Sequence, residues 1–267
     1  MQKLILNFDI NGTITTIDST DYDIDTPSRV NAIISKSIYG RLNDRNEWIM
    51  NDDPFSIHTG DISYHHYLKQ IGLKHLAHTF TDDGNIGSKF RNYYSAIVDH
   101  EKHELLFKSF LNVLTRYEDA KLVLRTFGND GSMVINDLNI KHGYQKPFTH
   151  AKYIRANDQH ILKISNNEVI GIQNICDFIT QHPNNLCIQD DYEYWHTSDN
   201  RNKIHGKPMI MKDSYVQLFF DDNDCVVSYD YDGCIMDDTF FTKVNTLQAM
   251  TNDDYYIRHI DKFCNRM

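Results

Sequence analysis

The stretch Leu4-Ile5-Leu6-Asn7-Phe8-Asp9-Ile10-Asn11-Gly12-Thr13-Ile14 constrains this chain more than any other. An apolar run interrupted only by Asn7 stops at an acid, and a Gly-Thr turn follows at once. A short run of this kind, bounded by a turn signal, predicts a strand buried on both faces. Ending in Asp9, it delivers a carboxylate to the carboxyl edge of a parallel sheet, where open α/β folds keep their ligands.

The rest of the chain alternates in period. Residues 27–117 read mostly as helix: Pro27-Ser28-Arg29 opens one with Val30, Ile33, Ile34 and Ile38 at helical spacing, and others are expected over 62–71, 90–98 and 103–117. Short apolar runs then predict strands at 121–126, 185–188 and 215–220, with helices at 132–138, 172–179 and 253–263. Tyr153-Ile154 and His160 to Ser165 suggest a hairpin about the turn Ala156-Asn157-Asp158. Strands alternating with helices predict an α/β fold, a doubly wound parallel sheet. Residues 1–18 and 118–267 would form its core, and 19–117 a mostly helical insertion over the site.

Asp9 before a glycine turn is suited to nucleophilic attack on phosphorus, which splits hydrolysis into two steps through an aspartyl-phosphate. The pattern Asp9-Ile10-Asn11-Gly12-Thr13 resembles the first motif of the haloacid dehalogenase (HAD) superfamily, with Asn11 where its phosphatases carry a second Asp. The resemblance covers roughly residues 1–18 and 118–250 and implies three later elements, each at a strand end. Thr126 would hydrogen-bond the phosphoryl group. Lys207, in His205-Gly206-Lys207-Pro208, would balance negative charge on nucleophile and phosphate. Asp221 and Asp222 would complete a Mg²⁺ site with Asp9 and the backbone carbonyl of Asn11. An oxygen-only shell of this kind suits Mg²⁺. By the same resemblance the segment 19–117 is a cap, and the reaction a Mg²⁺-dependent phosphomonoester hydrolysis on a small phosphorylated substrate.

Asn11 leaves the turnover open. In the phosphatases the Asp at this position exchanges a proton with leaving group and water, which Asn cannot do. Loss of general acid–base catalysis typically costs about 10²–10⁴-fold. The open readings are a slow phosphohydrolase, a protein that binds Mg²⁺ and a phosphorylated ligand without turnover, an Asn standing for a natural Asp, and a different HAD chemistry.

Other function classes find less support. A formal charge of −10 argues against a nucleic-acid or membrane-surface binder. Five cysteines, odd in number and without a Cys-x-x-Cys pair, fit a reduced, cytoplasmic setting better than a disulfide scaffold or zinc site. No apolar span is long enough for a membrane helix. Tyr229-Asp230-Tyr231-Asp232-Gly233 also resembles the first motif, but too little chain follows, so it reads as an acidic turn. Asp21, Asp23 and Asp25 lack the glycine and glutamate of a calcium loop, and the histidines lack ligand spacing.

Overall fold

The structure, a computed structural model, describes residues 3–17, 25–156, 159–198, 203–237 and 239–265. β1 (Lys3–Asp9) is buried from Ile5 onward. α1 (Thr26–Ser37) follows, with Pro27 in its first turn and Asp25 as its cap, accepting from the Ser28 backbone N–H at 3.0 Å. Three short strands come next, β2 (Tyr39–Leu42), β3 (Trp48–Met50) and β4 (Ile62–Ser63). The helices α2 (Tyr64–Gln70), α3 (Arg91–His103) and α4 (Lys108–Arg116) lead to β5 (Lys121–Thr126) and α5 (Gly131–Ile140). β6 (Phe148–Ala156), β7 (Gln159–Ile164) and β8 (Asn167–Ile170) precede α6 (Ile172–Gln181), β9 (Asn185–Gln189) and α7 (Tyr192–Thr197). The chain then forms β10 (Lys207–Ile210), β11 (Tyr215–Asp221), β12 (Val226–Tyr229) and β13 (Ile235–Met236). β14 (Phe241–Lys243), α8 (Thr246–Thr251) and α9 (Tyr255–Cys264) complete it.

Side-chain alternation along β1 builds the central layer. Leu6 lies between Leu122 of β5 and Leu218 of β11, and Phe8 between Leu124 and Phe220. These two rows face α4, α5 and α9, meeting Phe110, Val134, Leu138, Tyr256 and Ile260. Phe8 stacks on Phe220 at 4.8 Å and meets Phe110 and Tyr256 edge-on. Burying a ring as fully as this contributes about 1.5–3 kcal/mol. The opposite face carries Ile5, Val123, Leu186 and Ile188, covered by Ile175, Cys176 and Ile179 of α6. Helices on both faces explain why the strands read as unbroken apolar runs.

The sheet order is β14-β11-β1-β5-β9-β6-β7-β8. The strands from β14 to β6 run parallel, and β7 and β8 add an antiparallel edge. The expected α/β class with a large, mostly parallel sheet is therefore present. The hairpin expected after residue 153 is β6–β7, although its turn residues Asn157 and Asp158 lie outside the described residues, as do Asp21 and Asp23.

Two features depart from the sequence reading. The 19–117 segment is not simply helical, because β2, β3 and β4 form an antiparallel sheet within it. Strands of two to four residues are too short to display a period of two. An Asn43-based turn joins β2 to β3, its side-chain oxygen accepting from Arg45 and Glu47 N–H groups at 2.9 Å. This sheet packs with α1 and α3 in a separate core of Val30, Ile34, Ile38, Trp48, Phe80 and Ile97. α4, by contrast, joins the central core through Phe110 and Val113, so the expected boundary at 117 falls beyond a helix that covers the main sheet. A second small sheet, β10-β12-β13, was also not expected. Asp230 to Cys234 forms the acidic turn between β12 and β13. Among the described residues, no helix is long and apolar enough to cross a membrane.

Candidate active site

Asp9 closes β1 and Asp221 closes the adjacent β11, so the parallel register carries both carboxylates to the same sheet edge. Between them stands Lys207, the first residue of β10. Its ammonium donates to Asp9 Oδ1 and, at 2.8 Å, to Asp221 Oδ2. All three side chains are buried. Lys207 reaches this point because Gly206 lies against the Cys225 carbonyl, where a Cβ would sit 1.9 Å from the oxygen. The ammonium also lies 4.8 Å from the Phe127 ring centroid, a cation–π contact.

The glycine turn ties the acids together. Gly12 adopts φ +77°, and a Cβ there would lie 2.6 Å from Asp222 Oδ2, so only glycine lets Asp222 approach. The Thr13 hydroxyl donates to Asp9 Oδ2 at 3.3 Å and accepts from the Asp222 backbone N–H at 3.1 Å. From the far end of the chain, the Thr246 hydroxyl donates to the Gly12 carbonyl at 2.6 Å and the Tyr256 hydroxyl to the Thr13 carbonyl. The loop holding Asp9 is thus clamped on both sides.

The charges do not balance. Carboxylate oxygens of Asp9, Asp221 and Asp222 lie within 4.8 Å of one another, and one ammonium serves them. Burial, followed by the charge of Asp221, holds the Asp9 pKa well above the usual carboxylate range despite Lys207. Burial and Asp221 likewise push Asp222 up to about 7. Burial disfavours the charged form of Lys207, but Asp221 and Asp9 outweigh it and raise its pKa. The donors are all oxygen, so the set fits a hard divalent cation such as Mg²⁺ rather than a thiolate-seeking metal. Among the described residues, no other three His, Cys, Asp or Glu side chains converge in this way.

A cavity of about 390 Å³ opens above these groups, within the range of small-molecule sites. Asp9, Asn11, Lys207 and Asp222 line it. Thr16, Ile33 and Lys36 line it from the segment after β1, and Phe127 and Tyr192 from the opposite side. The sequence reading missed these five. Ile33 and Lys36, one helical turn apart, were the available signal, but only tertiary packing reveals which face of α1 meets the sheet edge.

Asn11 donates from Nδ2 to Asp130 Oδ2 at 2.9 Å, which leaves its buried Oδ1 without a partner. The amide orientation follows from that bond, since a carboxylate accepts and does not donate. Thr126 ends β5 as expected, but its hydroxyl accepts from the Gly128 N–H at 2.9 Å and it lines a separate hollow. The structure therefore unites Asp9, Asn11, Lys207, Asp221 and Asp222 and leaves Thr126 outside the Asp9 cavity.

One further pair of buried charges sits nearby. Arg125, beside Asp9 in the β1–β5 register, donates through Nε to Asp190 Oδ2 at 2.9 Å and through Nη2 to Oδ1. Its remaining Nη1 donates to the Pro208 carbonyl at 2.9 Å, anchoring β10 and hence Lys207. No family model, no curated protein and no solved structure matches this chain.

Proposed function

We propose that the protein is a HAD-like, Mg²⁺-dependent phosphohydrolase in which Asp9 is the nucleophile, with residues 19–117 serving as the cap. The observation that carries this reading is the buried set Asp9–Lys207–Asp221, with Asp222 beside it, at the floor of a cavity of small-molecule size. Three carboxylates around one ammonium leave excess negative charge in a buried place, which a divalent cation would neutralise. Asp9, Asp221 and Asp222 would hold it, together with the backbone carbonyl of Asn11. When bound, the cation supplies charge for a phosphoryl group that would otherwise be repelled.

Lys207 and the Thr13 hydroxyl fix the Asp9 carboxylate from both oxygens. Attack of one oxygen on phosphorus forms the acyl phosphate and breaks the bond to the ester oxygen, which leaves with the electron pair. Water then attacks the aspartyl-phosphate, releasing phosphate and restoring Asp9. Asn11 cannot protonate the leaving oxygen, so that proton comes from solvent and substrates with good leaving groups are favoured. The unpartnered Asn11 Oδ1 keeps hydrogen-bond acceptor capacity, but it takes no proton.

The same residue supports a second reading, a protein that binds Mg²⁺ and a phosphorylated ligand without turnover. Mg²⁺-dependent phosphate release from an activated aryl phosphate separates the two. Asn11→Asp is expected to raise the rate by about 10²–10⁴-fold. Adding Asp9→Asn should abolish that gain. Absence of release in every variant, with Mg²⁺-linked phosphate binding retained, selects the binding protein. Asp9→Asn with unchanged binding and release would remove the site assignment altogether.

A further inference from the structure

The chain is acidic overall, yet its lysines are unevenly neutralised. Lys108, Lys141, Lys163 and Lys212 each pair with an acid. Among the described residues, Lys36, Lys69, Lys74 and Lys243 are among those with no carboxylate within ion-pairing distance, and what sets them apart is that they converge. These four come from α1, α2, the segment just after α2, and β14, and they line one cavity of about 590 Å³ with His65 and His66. Four separate stretches of sequence thus bring cations without an ion pair to one cavity, in a protein of formal charge −10.

This cavity is not remote from the candidate active site. It shares Lys36, Asp222, Asn223 and Thr246 with the cavity over Asp9, so the two form neighbouring compartments with a common wall. The acids that line it form no ion pair with these lysines, although Asp222 lies near enough for Lys36 and Lys243 to lower its pKa against burial and Asp221. The Asp61 carboxylate is committed to Arg41, Asn51 and the His58 N–H, at 2.7–2.8 Å. Asp222 belongs to the carboxylate set beside Asp9, and Asp224 is exposed. The local field is positive enough to register on a neighbour: burial first, then Lys36, Lys74 and Lys69, hold the His65 pKa down at about 3.

We propose that the physiological substrate is a small organic molecule with at least two phosphate groups, one presented to Asp9 and another held by Lys36, Lys69, Lys74 and Lys243. This deepens the phosphohydrolase reading and rests on it for the first phosphate. Ammonium groups bind phosphate as point charges, and a walled cleft strengthens their combined field. A small ligand is favoured over a polymer because about 590 Å³ is a small-molecule volume and the net charge would repel a long polyanion. Lys36 stands between the compartments and would contact the bridge between the two phosphates.

The test is calorimetric titration with inorganic phosphate, tripolyphosphate and a 5′-phosphorylated single-stranded oligonucleotide, at one fixed Mg²⁺ concentration. Wild type should bind tripolyphosphate at least tenfold more tightly than phosphate. Lys69→Gln/Lys74→Gln, both exposed positions, should erase most of that preference and leave the phosphate Kd within twofold. Lys243→Gln supplies an independent second variant. No preference in wild type, or a preference unaffected by these variants, overturns the proposal. An oligonucleotide that binds more tightly than tripolyphosphate through the same lysines overturns the small-ligand assignment. Parallel phosphate-release assays of Asp9→Asn keep the two readings separable. Unchanged release with a lysine-dependent preference sinks the hydrolase reading alone, and lost release without that preference sinks this one alone.

Discussion

Arg125–Asp190 and Asp9–Lys207–Asp221 sit on neighbouring strand ends, both buried, and they handle charge in opposite ways. In the first, one guanidinium meets one carboxylate through two bonds, and its third nitrogen donates to a carbonyl. Charge is matched one to one, and neither residue lines the cavity over Asp9. In the second, one ammonium is divided between two carboxylates while a third stands beside them at a cavity wall. A balanced buried pair acts as a structural joint. An unbalanced one keeps capacity for a ligand, at a cost in stability while that ligand is absent.

The comparison breaks most readily at its balanced end. Arg125→Met strands the Asp190 charge and should cost about 3–5 kcal/mol. Urea unfolding measures this, and a loss below about 1 kcal/mol would mean that the pair is no joint. The next effect belongs to the unbalanced end. Mg²⁺ at a hundred times its Kd should stabilise wild type by about 2.7 kcal/mol, read as a raised thermal midpoint. Asp222→Ala should lose that shift, and chelation should reverse it in wild type. Asp9→Asn, assayed without metal, should change stability by less than about 1 kcal/mol or raise it, because it removes repulsion from Asp221 and keeps an acceptor for Lys207. A fall as large as that of Arg125→Met would erase the distinction between the two sites.

The smallest effect sets the pH background for these measurements. Burial, with help from Arg155, lowers the His160 pKa to about 4, and His65 lies lower still. Histidine in the unfolded chain titrates near about 6.5, so on acidification the unfolded state takes up protons first. Their contribution to stability is complete above that pH and declines as the pH falls toward 4. His160→Gln should flatten this part of the midpoint-against-pH curve. An unchanged slope would show that His160 does not contribute to it.

Sequence reading reached Asp9 and Asp221 through one physical signal, a fully buried run ended by an acid. Parallel pairing then made two such ends neighbours. Lys207 was accessible only through resemblance, since β10 is four residues long and includes Pro208, too short to announce a strand. Thr126 was placed at the correct strand end, but position along a strand does not say where a hydroxyl finds its partner. Lys36, Phe127 and Tyr192 come from three elements that meet only on folding, and nothing local marks them. The same limit hid β2 to β4, whose short strands are set by packing around Trp48 and Ile38 rather than by pattern.

The clamps on the Gly12–Thr13 loop also impose an order in time. The hydroxyls that hold it belong to Thr246 and Tyr256, 234 and 243 residues further along the chain. During synthesis the Asp9 turn therefore leaves the ribosome without these two restraints, and they arrive only after both sheet neighbours of β1 have been made. A chain stopped short of residue 246 would carry every acidic residue of the site and still lack the two hydroxyls that clamp the loop from outside.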